Sequence, residues 1–183
     1  MEVGAAYLND VLRMYRNYKA LGDGALAQVR ADADLHGRID PDANSIAVVV
    51  KHVAGNLRSR FRDFLTADGE KPDRDRDAEF EMPEPTSRER ILADWNGGWS
   101  VTLASVEALA PADLDRTITI RGEAFLVVEA LNRSITHTAH HVGQIVTLAR
   151  HFAGSNWRIL SIPRGQSAQV ARAGDFKTKG IAR

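Results

Sequence analysis

Residues 137–145 read HTAHHVGQI, placing three histidines within five positions of a 183-residue chain that holds only six. Histidine has no special helix propensity, so the cluster points to a ligand set, a proton-transfer role or coincidence. At 3.6 residues per turn, positions four apart stand nearly one above the other. His137 and His141 therefore share a face, as the two ligands of an H-E-x-x-H helix do. That face continues through Leu126, Ala130, Arg133, Gln144 and Leu148, apolar at both ends and polar in the middle. His140 projects to the side. A polar patch inside a helical protein needs partners, and a metal ion is one. On pattern alone, a His-x-x-x-His pair is more often a hydrogen-bonded structural pair than a ligand pair.

The helix carrying this stretch is predicted from about Phe125 to Phe152, with Gly154 just past its end. Three further segments show helical spacing. The first runs from about Val3 to Val29, with a stripe of Tyr7, Val11, Met14, Tyr15, Tyr18 and Leu21. The second follows Asn44 or Ser45 as N-cap and ends near Thr66, before Gly69 and Pro72. The third follows Ser87 and carries Ile91, Leu92, Trp95, Trp99, Leu103, Val106 and Leu109. Gly97 and Gly98 inside it imply close packing or a local distortion. The expected fold is all-α, a four-helix bundle with a long crossover (67–86) between helices 2 and 3. RTITIRGEAF (116–125) alternates like an extended segment without a partner and reads as a strand-like connection, not a sheet. One domain is expected over 1–169, followed by a basic, flexible tail at 170–183.

A third ligand must come from elsewhere in the chain. His52 is the best placed, on a face of Ser45, Val48, Val49, Asn56, Ser59 and Asp63, with Asn56 one turn further on to hold a water or a substrate oxygen. A lone half-buried histidine with a backbone partner is equally an ordinary core residue. His36 falls in a predicted loop, and His151 sits where an imidazolium favours a helix C-terminus without any metal.

Composition narrows the function classes. Lys plus Arg and Asp plus Glu each number 24, giving zero net charge and no electrostatic footprint for nucleic acid or an anionic membrane. The chain has no cysteine, which excludes disulfides, thiolate zinc sites and a cysteine nucleophile. Charged residues interrupt the N-terminal apolar positions, so no signal peptide is expected, and no apolar run reaches membrane-spanning length. A soluble cytoplasmic protein is expected.

KHVAGNLRSRF, DFLTADGEKPDRDRDAEF, HTAHHVGQI and WRILSIPRGQS together resemble the DinB/YfiT-like metalloenzyme superfamily, in a branch of unknown function, over about Tyr18 to Ser167. The resemblance implies an up-down-down-up helix order. It also implies a divalent metal, zinc or nickel, held by His52, His137 and His141. Its characterised members include transferases and isomerases that use low-molecular-weight thiols, and homodimers are common among them.

Three neutral imidazoles with an open position match the catalytic pattern of zinc, in which a bound water or thiol becomes a nucleophile at neutral pH. A thiol would have to come from outside. No carboxylate follows the pair as Glu does in H-E-x-x-H, so His140 or an acid of the 68–79 loop is the candidate general base. That loop reads either as a solvated charged connection or as a cover bringing Arg74 and Arg76 to an anionic small-molecule substrate. Arg60 and Arg133 are further binding candidates, with Asn56 and Gln144 on the ligand faces. SIPRGQS would flank the same opening through Arg164 or Ser167. Two function classes follow: a metal-dependent hydrolase or thiol S-transferase, and a non-catalytic metal-binding or stress-related helical protein.

Overall fold

The computed structural model describes residues 2–81 and 85–172 and is mostly helical with one small two-stranded sheet. Six α-helices are described: α1 (Val3–Leu26), α2 (Asp32–His36), α3 (Ile46–Phe61), α4 (Arg88–Glu107), α5 (Val127–Ala153) and α6 (Ser167–Arg172). Strands β1 (Thr117–Ile120) and β2 (Glu123–Leu126) precede α5. The four long helices share one core, with α3 packed on α4 and α5, and α1 packed on α4 and α5. At the centre Tyr15 meets Phe61 and Trp99 edge-on, and Trp95 meets Trp99 at 5.3 Å. Rings in such offset contacts gain about 0.5–1.5 kcal/mol each beyond their buried area. Between α3 and α4 the backbones come close enough that a Cβ on Gly98 would lie 2.9 Å from Ala54 Cα, so close packing is what that glycine serves. No described helix is long and apolar enough to cross a membrane.

Local chemistry sets most boundaries. Ser45 caps α3 by accepting from the Val48 N–H, and Ser87 caps α4 through the Arg90 N–H. Helix α5 starts where the Glu129 carboxylate takes the Leu126 N–H. It stops at Gly154, whose φ of 54° suits glycine.

Three expectations are corrected. The second predicted helix stops at Phe61, not near Thr66: Arg62 turns extended and Asp63 takes φ 51°. Phe64 still reads as helical spacing because it packs on Phe61 from the turn, at 5.0 Å. His36 lies in the short helix α2, not in a loop, and its ring Nε2 meets the Thr86 carbonyl at 2.9 Å. The 116–125 segment is a hairpin pairing with itself, Thr117 opposite Leu126 through Ile120 opposite Glu123. Arg121 and Gly122 both take positive φ, 58° and 76°, the backbone of a two-residue turn that matches strand twist. Phe125 thus belongs to β2, and α5 begins two residues later. The expected tail at 170–183 falls outside the described residues except for the end of α6.

The described part of the crossover, 62–81, is anchored at several points. Ser59 donates to the Gly69 carbonyl at 2.8 Å and accepts from the Lys71 N–H at 3.0 Å. Gly69 donates to the Thr119 carbonyl of β1. Asp68 takes the N–H groups of Arg121 and Gly122 at the hairpin turn. Further on, Lys51 reaches back to the carbonyls of Ala78 and Glu81. These anchors carry the chain over the His52 end of α3.

Candidate metal centre

Helix α5 buries a stripe of Val127, Ala130, Leu131, Ser134, Thr138, Val142, Ile145, Leu148 and Ala149. His137 and His141 lie one residue to the side of that stripe, so they are half-buried at the edge of the core. Helix α3 is covered nearly all round, and His52 on it is only 3% exposed. Where the two helices meet, the three rings converge. His137 Nε2 lies 3.2 Å from His52 Nε2 and 3.2 Å from His141 Nε2, and a ligand atom from each ring falls within 4.8 Å of the others. Two nitrogens bound tetrahedrally to one zinc ion at 2.0–2.1 Å stand about 3.3 Å apart, so the spacing fits such an ion.

The protons on the far side of the rings sharpen the case. His52 Nδ1 meets Glu79 Oε2 at 2.8 Å. Burial alone would raise the Glu79 carboxyl, but the Arg74 guanidinium and the His52 N–H outweigh it and hold its pKa below the ordinary value. An ionised carboxylate only accepts, so His52 carries its proton on Nδ1 and turns a lone pair on Nε2 inward. His141 likewise gives its Nδ1–H to Gln144 Oε1 at 2.7 Å, leaving a second inward lone pair. His137 has at most one N–H to offer the two of them. Burial first, and then the neighbouring imidazoles and arginines, lower His137 to about 3, and burial also lowers His141. Two features of a cation cage are thus in place: Nδ1 partners that fix the tautomers of His52 and His141, and Nε2 atoms of all three rings that converge.

Glu79 is the residue that sequence reasoning passed over. It sits in a 3₁₀ turn, Ala78–Phe80, 27 positions from His52, and the turn is delivered by the anchored crossover. Arg74 holds its carboxylate with two bonds of 2.8 Å. Gly55, one turn after His52, leaves the space: a Cβ there would collide with Glu79 Oε1. The available signal was a glycine three residues after a candidate ligand, together with the need of a ligating histidine for an acceptor on its second nitrogen.

A cavity of about 510 Å³ opens on the His52 and His137 rings and is walled by Asn56, Arg60, Arg76, Arg133 and His140, all singled out from sequence, as well as by Arg74 and Arg121; His141 stands behind His137, outside that wall. Gln144 is not in that wall; its amide is engaged with His141. Arg74 is committed to Glu79 and Glu70, and Arg60 to Glu70 and the Gly69 carbonyl. Arg76 stands half exposed, its guanidinium 5.2 Å over the Phe80 ring, which in turn stacks 4.7 Å from the His52 ring. The loop combines features of both readings: Asp73, Asp75 and Asp77 are exposed to solvent, while Arg74 and Arg76 both line the cavity, Arg74 with its guanidinium committed to carboxylates. SIPRGQS does not flank this opening. Arg164 and Ser167 are exposed away from it, and Ile159 to Ile162 line a separate groove with Leu21, Val146 and Arg150. His151 is exposed in the last turn of α5, beside Phe152.

Fold and site together define a class: a mostly helical protein that gathers three imidazoles from two helices into a cluster able to hold a metal ion. Within that class the chain belongs to a protein family of unknown function, DUF1572, whose family model matches residues 2–166. No curated protein and no solved structure matches the chain.

Proposed function

We propose that this protein is a metal-dependent enzyme on a DinB/YfiT-like four-helix bundle of up-down-down-up order, with His52, His137 and His141 holding one divalent ion, zinc or nickel. The observation that carries the reading is the convergence of Nε2 lone pairs from rings whose Nδ1 protons are already given to Glu79 and Gln144. Three histidines leave an open coordination position, the pattern of catalytic and not structural zinc. When bound, the ion supplies Lewis acidity that makes a nucleophile of water or of a low-molecular-weight thiol near neutral pH.

The chain's own groups have separable tasks. Glu79 and Gln144 hold the tautomers and orientations of His52 and His141. His140, exposed on the cavity wall with its ring 5.0 Å from that of His141, has no ring hydrogen bond to a described residue and is the proton acceptor of this reading. The Asn56 amide, on a side chain 8% exposed, faces the cavity without a protein partner among the described residues and is placed for a substrate oxygen.

Metal analysis of protein purified without a histidine tag is the deciding experiment. Near-stoichiometric zinc or nickel is expected, lost in His52→Ala and in His137→Ala; a wild-type protein that takes up neither ion would overturn the reading. Metal-dependent turnover in thiol-conjugation and hydrolase assays then tests the enzyme: activity restored to chelated protein by the ion supports it, and a fully loaded, inert protein in both reaction classes favours a metal-binding role alone.

A further inference from the structure

The arginines around the cavity do not balance against acids within it. Arg60, Arg74, Arg76, Arg121 and Arg133 line the wall, and among the described residues no aspartate or glutamate does. Behind the wall, Glu70 pairs with Arg60, Arg74 and Arg121, and Glu79 pairs with Arg74. Three of the five guanidinium groups thus share two carboxylates, before any metal adds its own charge. Arg76 and Arg133 are the two left over. Among the described residues Arg76 is ion-paired only with Asp77, at 3.5 Å and 94% exposed, a contact that solvent screens. Its guanidinium carbon stands 5.2 Å over the Phe80 ring, a contact that uses none of its N–H donors in an ion pair. The Arg133 guanidinium makes no ion pair or hydrogen bond with any described residue; its backbone carbonyl is engaged by the Thr136 hydroxyl. It stands four residues before His137 on α5, one turn along the same face, so its Cβ is about 5–6 Å from that of the ligand.

We infer that the substrate is a small anion whose carboxylate or phosphate group docks on Arg133 and Arg76 while its reacting end lies at the three Nε2 atoms. This rests on the metal-dependent reading for what happens at the reacting end, but the docking stands on the arginines alone. A planar fork matches both oxyanions with paired hydrogen bonds. The walls of one charge sign in a recess focus the potential and draw such an anion in. The one-turn spacing keeps the oxyanion and the reacting atom close together, and the cavity volume suits a low-molecular-weight acid, not a polymer. Asn56 adds the neutral hydrogen-bonding group that orients the body of the molecule.

The test titrates the full-length protein by calorimetry, as purified and after chelation, with succinate, its uncharged counterpart succinamide, and inorganic phosphate. Saturable binding of succinate or phosphate, without binding of succinamide, is expected in both states. Succinate alone would indicate a carboxylate substrate and phosphate alone a phosphorylated one. Arg133→Gln and Arg76→Gln should each weaken the anion at least tenfold with metal content and melting temperature unchanged, whereas Arg150→Gln, exposed far along α5, should not. No saturable anion, equal binding of succinamide, or unchanged affinity in both variants would overturn the inference. Metal content measured on the same samples keeps the two ideas apart. Anion binding by a wild-type protein that never holds metal would sink the metal reading and leave the docking intact.

Discussion

Glu79 is where a single residue changes the chemistry most without touching the ion. Its side chain is 7% exposed, with the carboxylate clamped by Arg74, and it fixes the proton of His52 on the far nitrogen. Glu79→Gln keeps the shape but replaces an anionic acceptor with an amide, so the imidazole becomes a weaker base and its tautomer is less constrained. A 10–100-fold loss of metal affinity is expected, the usual consequence of removing such a partner. Competition against a chromophoric chelator measures it, and an affinity equal to wild type would remove Glu79 from the site. Gly55→Ala should give a loss of the same order although Gly55 touches no metal, because its methyl occupies the carboxylate's place. The His137–His141 pair was legible in the sequence, since a four-residue spacing on a helix is a geometric statement, and the structure brings His52 to the same cluster. Glu79 was not, because its position depends on how a charged crossover folds back, and no local periodicity encodes that.

At the scale of elements, the crossover and the hairpin act as one unit through Asp68. Its carboxylate accepts from the backbone N–H of Glu70 at 2.6 Å, Gly122 at 2.8 Å and Arg121 at 2.9 Å, and these bonds hold its pKa down to about 2. A carboxyl depressed on folding stabilises the protein above its unfolded pKa of about 3.9 and loses that contribution as pH falls toward 2. The stability of wild type relative to Asp68→Asn should therefore shrink over that interval and be flat above pH 5. Because Asp68 is largely solvated, the difference should be no more than about 1 kcal/mol. Urea titrations of both proteins at pH 6, 4 and 3 check it, and a gap that does not close on acidification would show that Asp68 is not the clamp. The hairpin escaped sequence reading for a related reason: each strand is four residues long, and its partner lies across a two-residue Arg-Gly turn instead of in a separate segment. Helix caps and the four long helices were readable because Ser45, Ser87 and the apolar stripes act within a few residues. Gly98 was readable as a close approach, and there the backbone of Ala54 cannot yield. Gly98→Val should destabilise by about 2–3 kcal/mol in the same titrations, as overpacking does.

For the molecule as a whole, the cluster joins α3 to α5, segments 85 residues apart at His52 and His137. An ion held there binds the folded chain and not the unfolded one, so it must stabilise the fold by mass action. With free metal a thousandfold above its dissociation constant the gain is about 4 kcal/mol. For a chain of this length that corresponds to a rise in melting temperature of roughly 8–16 °C. Scanning calorimetry of chelated protein with increasing zinc should show the midpoint climbing with the logarithm of free metal. His137→Ala should show no metal dependence, while its own metal-free midpoint stays near that of the chelated wild type, because His137 sits at the core's edge and not within it. The pair of curves discriminates between two roles for the imidazoles. If the histidines were structural partners of one another, removing His137 would lower the metal-free midpoint and added zinc would move neither protein.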